Sequence, residues 1–303
     1  MPLEPRALNS VIRISSAGTL LGTGSIVSAP SETRPGVRWP YVVTADHVVC
    51  SQIEIELEVP DPLKPGELFP PIPCDEWRQP FPKVDLAIAP FPDLVPRIQS
   101  TPLTHFVPDG SVVNLGGEIF YLGIFAALDV PMARAATLGA LRVEIEKDDY
   151  HYIADLVDCR SYGGFSGSPC FSVIDYAIMD GRQAPVDPGA APHQPDGTPI
   201  PLAPMGSLAS FCGIFTAHYS DEIPAQGVVS RYGVGVMLPC DYIREGLMTD
   251  EAKNERREWD QTRVAKETKD LPPLENAGAD ATEYERFETL TQQLVHTPKP
   301  PSE

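Results

Sequence analysis

Positive charge is scarce in this 303-residue chain: 23 Lys and Arg stand against 42 Asp and Glu, a net charge of −19. Phosphate backbones are held by basic side chains, so nucleic acid is not an expected partner. Such acidity favours solubility and leaves the fold open. Long apolar runs are missing too. None approaches the ~20 residues that a membrane-spanning helix needs, so no membrane partner is expected. The first eight residues, MPLEPRAL, lack the basic start and apolar core of a secretory signal, which points to a cytoplasmic protein. The six cysteines include no C-x-x-C pair, and the six histidines show no ligand spacing. No metal and no cofactor is therefore expected, and the cysteines are compatible with reduced, buried thiols.

Helical periodicity is almost absent between residues 9 and 240, and short β-rich runs take its place. One group covers 10–15 (SVIRIS), 20–28 (LLGTGSIVS), 41–44 (YVVT), 53–59 (IEIELEV) and 85–91 (DLAIAPF). A second covers 112–115, 119–124, 136–145, 152–157, 168–174, 211–218 and 232–238. Val, Ile, Thr and aromatic residues fill these runs, with Gly, Pro, Asp and Ser between them. Many short strands favour a sandwich or barrel. Residues 101–110 form the connector, giving an N-terminal β-unit at 9–100 and a C-terminal one at 101–248. Residues 179–208, dense in Pro, Gly, Asp and Gln, read as an inserted surface loop. A short helix is expected at 241–248, with 249–269 continuing as an exposed helix. The remainder of the 249–303 tail is acidic and proline-punctuated, with an amphipathic patch at 284–294.

Three short segments carry chemistry. Gly163-Gly164-Phe165-Ser166-Gly167-Ser168-Pro169 sets a serine among glycines at the entry to a strand. Small neighbours admit a substrate carbonyl and let backbone N–H groups turn toward its oxygen. A Gly-Ser turn between strands would look the same. A serine hydroxyl needs a base, and His47 stands at the end of an apolar β-run, YVVTADHVV. Standing alone, it would read as a packed or surface histidine. A base needs a carboxylate to orient it, and Asp85 lies in the apolar run VDLAIA, where a buried charge demands a partner.

In this order the strings GTGSIVS, YVVTADHVV, VDLAIA, GGFSGSP and GIFTAHY resemble the signature blocks of trypsin-like serine proteases, nearest to the bacterial and high-temperature-requirement branch. The resemblance spans roughly residues 9–247. It implies an all-β chymotrypsin-like fold: two six-stranded antiparallel β-barrels, a short C-terminal helix and a charged tail. It further implies that His47, Asp85 and Ser166 are general base, orienting acid and nucleophile, and that the N–H groups of Gly164 and Ser166 form the oxyanion hole. Gly213-Ile214-Phe215-Thr216 would match the strand beside bound substrate, with Thr216 near Asp85. Thr216, Ala217 and His218 would be substrate-binding, His218 near the pocket wall, and Arg160 would lie at the base of the specificity pocket, disfavouring basic side chains. The implied activity is a serine endopeptidase acting on a protein or peptide substrate through an acyl-enzyme.

Departures from the family pattern qualify this. Phe165 replaces the aspartate that pairs with a newly cut amino terminus, so activation by such cleavage is not expected. Asp46 precedes His47 where alanine is commoner, and its side chain is expected to face solvent. Cys50 lies three residues after His47, which does not support the disulfide of digestive trypsins. The rival readings are a catalytically silent protease-fold module that binds a peptide or protein partner, and a platform for the acidic tail. That tail and the 179–208 insertion are the candidate control elements, the tail as a site for a regulatory protein partner.

Overall fold

The computed structural model describes residues 9–52, 54–61, 64, 67–91, 100–107, 114–125, 130–147, 149–159, 164–179, 182–185, 206–223 and 228–269. By density of internal contacts the chain divides into two units, 1–256 and 257–303. The first holds two β-sheets.

The first sheet comprises β1 (Val11–Ser16), β2 (Thr19–Pro30), β3 (Arg38–Thr44), β4 (Glu56–Glu58), β5 (Ile72–Pro73), β6 (Ala87–Pro90) and β7 (Thr101–Pro102). Its strand order is β5-β4-β1-β2-β3-β6, with β7 joined in parallel to β2. Among the described residues this path stays open, as a half-barrel. Its inner face follows from the sequence pattern: Ile12, Ile14, Ile26, Val42, Leu57, Ala87 and Ala89 form one buried cluster. β1 and β2 meet through Ala17 and Gly18, both at positive φ (48° and 76°). Two such residues match the right-handed twist of the flanking strands.

The second sheet comprises β8 (Glu118–Phe125), β9 (Val130–Lys147), β10 (Tyr150–Asp158), β11 (Ser168–Met179), β12 (Arg182–Pro185), β13 (Gly206–Ile223) and β14 (Val228–Pro239). Its order is β12-β11-β13-β14-β10-β9-β8, and a further β11–β8 pairing closes six of these strands into a barrel. An aromatic group fills it: Tyr121 stacks on Phe215 at 5.3 Å, and Phe171 meets Phe211 edge-on at 5.8 Å. The all-β, two-barrel expectation therefore holds, with the first barrel open and the second closed.

Among the described residues the α-helices are few: α1 (Asp46–Val49), α2 (Cys240–Leu247) and α3 (Asp250–Lys269). The expected short helix at 241–248 is α2. The exposed helix expected at 249–269 is α3, and its first turns depart from that expectation. Arg256 is wholly buried and donates to Glu32 Oε1 at 2.6 Å and to the Leu247 carbonyl at 2.7 Å. Its neighbour Glu255 accepts from Arg78 at 2.9 Å and from the Tyr41 hydroxyl at 3.2 Å. Charge alone suggests a solvated helix, whereas these charges pair with Glu32 in the β2–β3 connection and with Arg78, between β5 and β6.

Strand lengths also differ from the sequence reading. The run at 53–59 pairs as a strand only over β4, although Ile55, Leu57 and Val59 are all buried in the core. The run at 168–174 lengthens to Met179, and Arg182–Pro185 pairs back on it. The inserted segment thus begins as a hairpin, and β13 starts within it at Gly206. Of the run at 112–115, residues 112 and 113 lie outside the described residues and Leu115 stands in a turn. Residues 186–205 and the 284–294 patch lie outside them too.

Candidate active site

Register brings His47 and Asp85 together. β3 and β6 run antiparallel, with Val43 opposite Ile88 and Thr44 opposite Ala87. His47 lies three residues beyond the last β3 position, and Asp85 two residues before the first β6 position. Both therefore emerge at the same end of one ladder. Val42, Val43, Leu86 and Ile88 are wholly buried, which fixes that end against the core. Asp85 itself is 3% exposed. Its carboxylate is satisfied by His47: the backbone N–H donates to Oδ1 at 3.0 Å, and Nδ1 lies 2.9 Å from Oδ2. Held this way, Nδ1 carries the proton and Nε2 is left as the basic nitrogen. The imidazole side chain keeps 39% exposure, so it is both anchored and reachable.

Ser166 enters from the other barrel. Ser168 opens β11 opposite Phe215 of β13, and the Gly167 N–H donates to the Phe215 carbonyl at 2.7 Å. The serine loop is then fastened to β2: the Thr23 N–H donates to the Ser166 carbonyl at 2.8 Å, and Thr23 Oγ1 to the Gly164 carbonyl at 2.7 Å. Thr44 Oγ1, three residues before His47, donates to the Thr23 carbonyl at 2.8 Å. Gly22 sits between the two loops, and a Cβ there would lie 2.9 Å from both the Ser166 carbonyl and the Val48 side chain. Gly167 is required at φ 84°, since any Cβ would drive into the Thr23 carbonyl and Thr44 Oγ1. Among the described residues, the imidazole bonds to Asp85 and no hydrogen bond joins it to Ser166. Such contacts are often long in the absence of substrate.

The serine loop also explains its own donors. Thr23 takes the carbonyls of Gly164 and Ser166, and the Ser168 N–H takes that of Phe165 at 3.0 Å. The N–H groups of Gly164 and Ser166 have no acceptor among the described residues. Phe165 supplies a hydrophobic anchor: it is 1% exposed and meets the Tyr121 ring edge-on at 5.5 Å. The loop is thus held by aromatic burial.

The expectation that Asp46 faces solvent is corrected by the structure. It is half-buried, accepts the Tyr150 hydroxyl at 2.9 Å and lies 3.4 Å from Gln79 Nε2. Burial raises its carboxyl pKa, the Tyr150 hydrogen bond opposes the rise, and the Asp85 charge adds to it. Thr216 is wholly buried, its hydroxyl 3.1 Å from the Tyr152 hydroxyl and 3.4 Å from the Val236 carbonyl. Burial pushes the Tyr152 hydroxyl up to about 12. Ala217 pairs with Val236 and is partly exposed, and His218 pairs with Gly235 on the same strand. Arg160 lies outside the described residues. All six cysteines are free thiols, five of them buried and Cys50 exposed. No group of metal-binding side chains occurs among the described residues.

Sequence reasoning did not single out Thr23, Thr44, Gln79 or Tyr150. Thr23 had a readable signal, a threonine enclosed by glycines in GTG, where a side chain is retained while its neighbours have none.

No family model matches the chain, and no curated protein matches its sequence. Solved structures do resemble it. The MamO protease domain from Magnetospirillum magneticum, in its apo form, shares 16% identity with a TM-score of 0.52, over 82% of this chain and 100% of that one. Rv3671c from M. tuberculosis, a serine-to-alanine mutant in an inactive form, shares 16% identity with a TM-score of 0.44, over 82% and 93%. At this identity the MamO likeness shows the fold: the chain is a chymotrypsin-like double barrel.

Proposed function

We propose that this protein is a serine endopeptidase in which His47, Asp85 and Ser166 act as one unit on a peptide bond of a protein substrate. The observation that carries the reading is the buried Asp85 carboxylate, satisfied by His47 through both its backbone N–H and Nδ1. A solvated aspartate or a packed histidine needs no such double engagement. In this reading Nε2 takes the Ser166 proton as Oγ attacks the scissile carbonyl. The N–H groups of Gly164 and Ser166 receive the developing oxyanion, an effect worth about 3–4 kcal/mol per donor. The protonated imidazole then releases the amine, and water repeats the sequence on the acyl-enzyme.

The proposal extends to the bacterial, high-temperature-requirement-like branch, on the sequence blocks alone. It also extends to a cytoplasmic effector or processing enzyme that the acidic tail and the 179–208 insertion restrain through a protein partner. Thr216, Ala217 and His218 are proposed to run beside the substrate, with Arg160 at the base of the specificity pocket. A positional peptide library showing preference for Lys or Arg at the cleavage site would overturn the Arg160 assignment.

One observation favours the second reading, a silent binding module: no described hydrogen bond joins Ser166 to the imidazole. A fluorophosphonate probe separates the two. Covalent labelling that maps to Ser166 and vanishes in Ser166→Ala supports the enzyme. An unlabelled, folded wild type supports the binding module.

A further inference from the structure

One residue outside the triad engages the serine loop through both its main-chain N–H and its hydroxyl. Thr23 is wholly buried on β2. Its N–H donates to the Ser166 carbonyl and its Oγ1 to the Gly164 carbonyl, at 2.8 and 2.7 Å. Its carbonyl accepts from Thr44 Oγ1 at 2.8 Å, and Oγ1 also accepts the Ile124 N–H of β8 at 2.9 Å. With a backbone donor on one side and a backbone acceptor on the other, the hydroxyl has a single orientation.

That geometry bears on the two N–H groups that have no acceptor among the described residues. Gly164 sits at φ 96° and, lacking a Cβ, is free to rotate its flanking peptides at little cost. A carbonyl held in place fixes its peptide plane. Thr23 holds the planes that follow Gly164 and Ser166. The N–H of Ser166 lies in the plane between them, whose Phe165 carbonyl is held by the Ser168 N–H at 3.0 Å, and the N–H of Gly164 is hinged directly to the first. We infer that Thr23 is the positioning residue that sets the Gly164 oxyanion donor, with its hydroxyl selecting one rotation of the Gly164 peptide. The inference rests on the peptidase reading above. In that role Thr23 touches no substrate atom; it acts through Gly164.

The test uses the full chain and a fluorophosphonate probe, with the inactivation rate at saturation resolved from the apparent probe affinity. Thr23→Val keeps the shape and both main-chain bonds but removes the hydroxyl. Its saturating rate is expected to fall by about 10- to 100-fold with probe affinity changed less than about threefold. Thr23→Ser restores the hydroxyl and is expected to recover most of the rate, which a purely packing role would not give. Equal saturating rates in wild type and folded Thr23→Val overturn the inference. So does a Thr23→Ser chain as slow as Thr23→Val. If Thr23→Val does not fold, Thr23→Ala decides by the same two criteria. A wild type that leaves Ser166 unlabelled overturns the peptidase reading itself, and this inference with it. That outcome is distinct from labelling unaffected by Thr23.

Discussion

Asp46 shows how closely charges are set around His47. Its folded-state pKa is raised above the ordinary 3.8, chiefly by burial, so the fold prefers the protonated form. Folding then binds a proton more tightly than the unfolded chain does. The associated stability is present at low pH and is lost as pH rises from 3.8 through the raised native value. At neutral pH the charged, half-buried carboxylate is therefore a cost. Asp46→Asn keeps an oxygen to accept the Tyr150 hydroxyl and removes the charge. The variant is expected to be more stable than wild type at pH 7, with the advantage gone at about pH 3.5. Urea midpoints at the two pH values check this; an equal difference at both would show that charge is not the cause.

At the scale of elements, the start of α3 is fixed to the first sheet by ion pairs and hydrogen bonds. Arg256 is wholly buried against Glu32, Tyr41 and the Leu247 carbonyl. Truncating one partner of a buried pair leaves the other charge unpaired and costs about 3–5 kcal/mol. Arg256→Ala is expected to lower the denaturation midpoint accordingly. Glu32→Gln removes charge while keeping an acceptor and is expected to cost less. Equal midpoints for Arg256→Ala and wild type would remove this fastening from the account. The sequence did not announce it, because charge and helical propensity along 249–269 read as a solvated surface. Glu32 and Arg78, its partners, are distant in sequence. The elements that were legible are those whose signal is local. Alternating apolar residues marked β1, β2 and β3, and the short apolar runs marked β8, β10 and β14. The lengths of β9, β11 and β13 were not legible, since pairing partners set how far a strand continues. The carboxylate and imidazole were legible because an acid in VDLAIA and a histidine after YVVT each need a partner. Thr23 and Tyr150 were not, since their roles arise from contacts more than a hundred residues away.

The molecule as a whole places the carboxylate and imidazole at one end of the first sheet and fastens the serine loop of the second barrel to that same end. Thr23 and Thr44 make the connection through hydrogen bonds, Gly22 and Gly167 through the absence of side chains, and Phe165 by burial in the second barrel's aromatic core. A binding module has no need of a basic nitrogen oriented by a buried carboxylate, whereas an acyl-transfer enzyme does. The most direct measurement is the rate of fluorophosphonate addition, mapped by mass spectrometry, in wild type, His47→Ala and Asp85→Asn. The account predicts an adduct on Ser166 whose formation slows at least about 100-fold in each variant. Equal rates in all three chains, or an adduct on another residue, would contradict it.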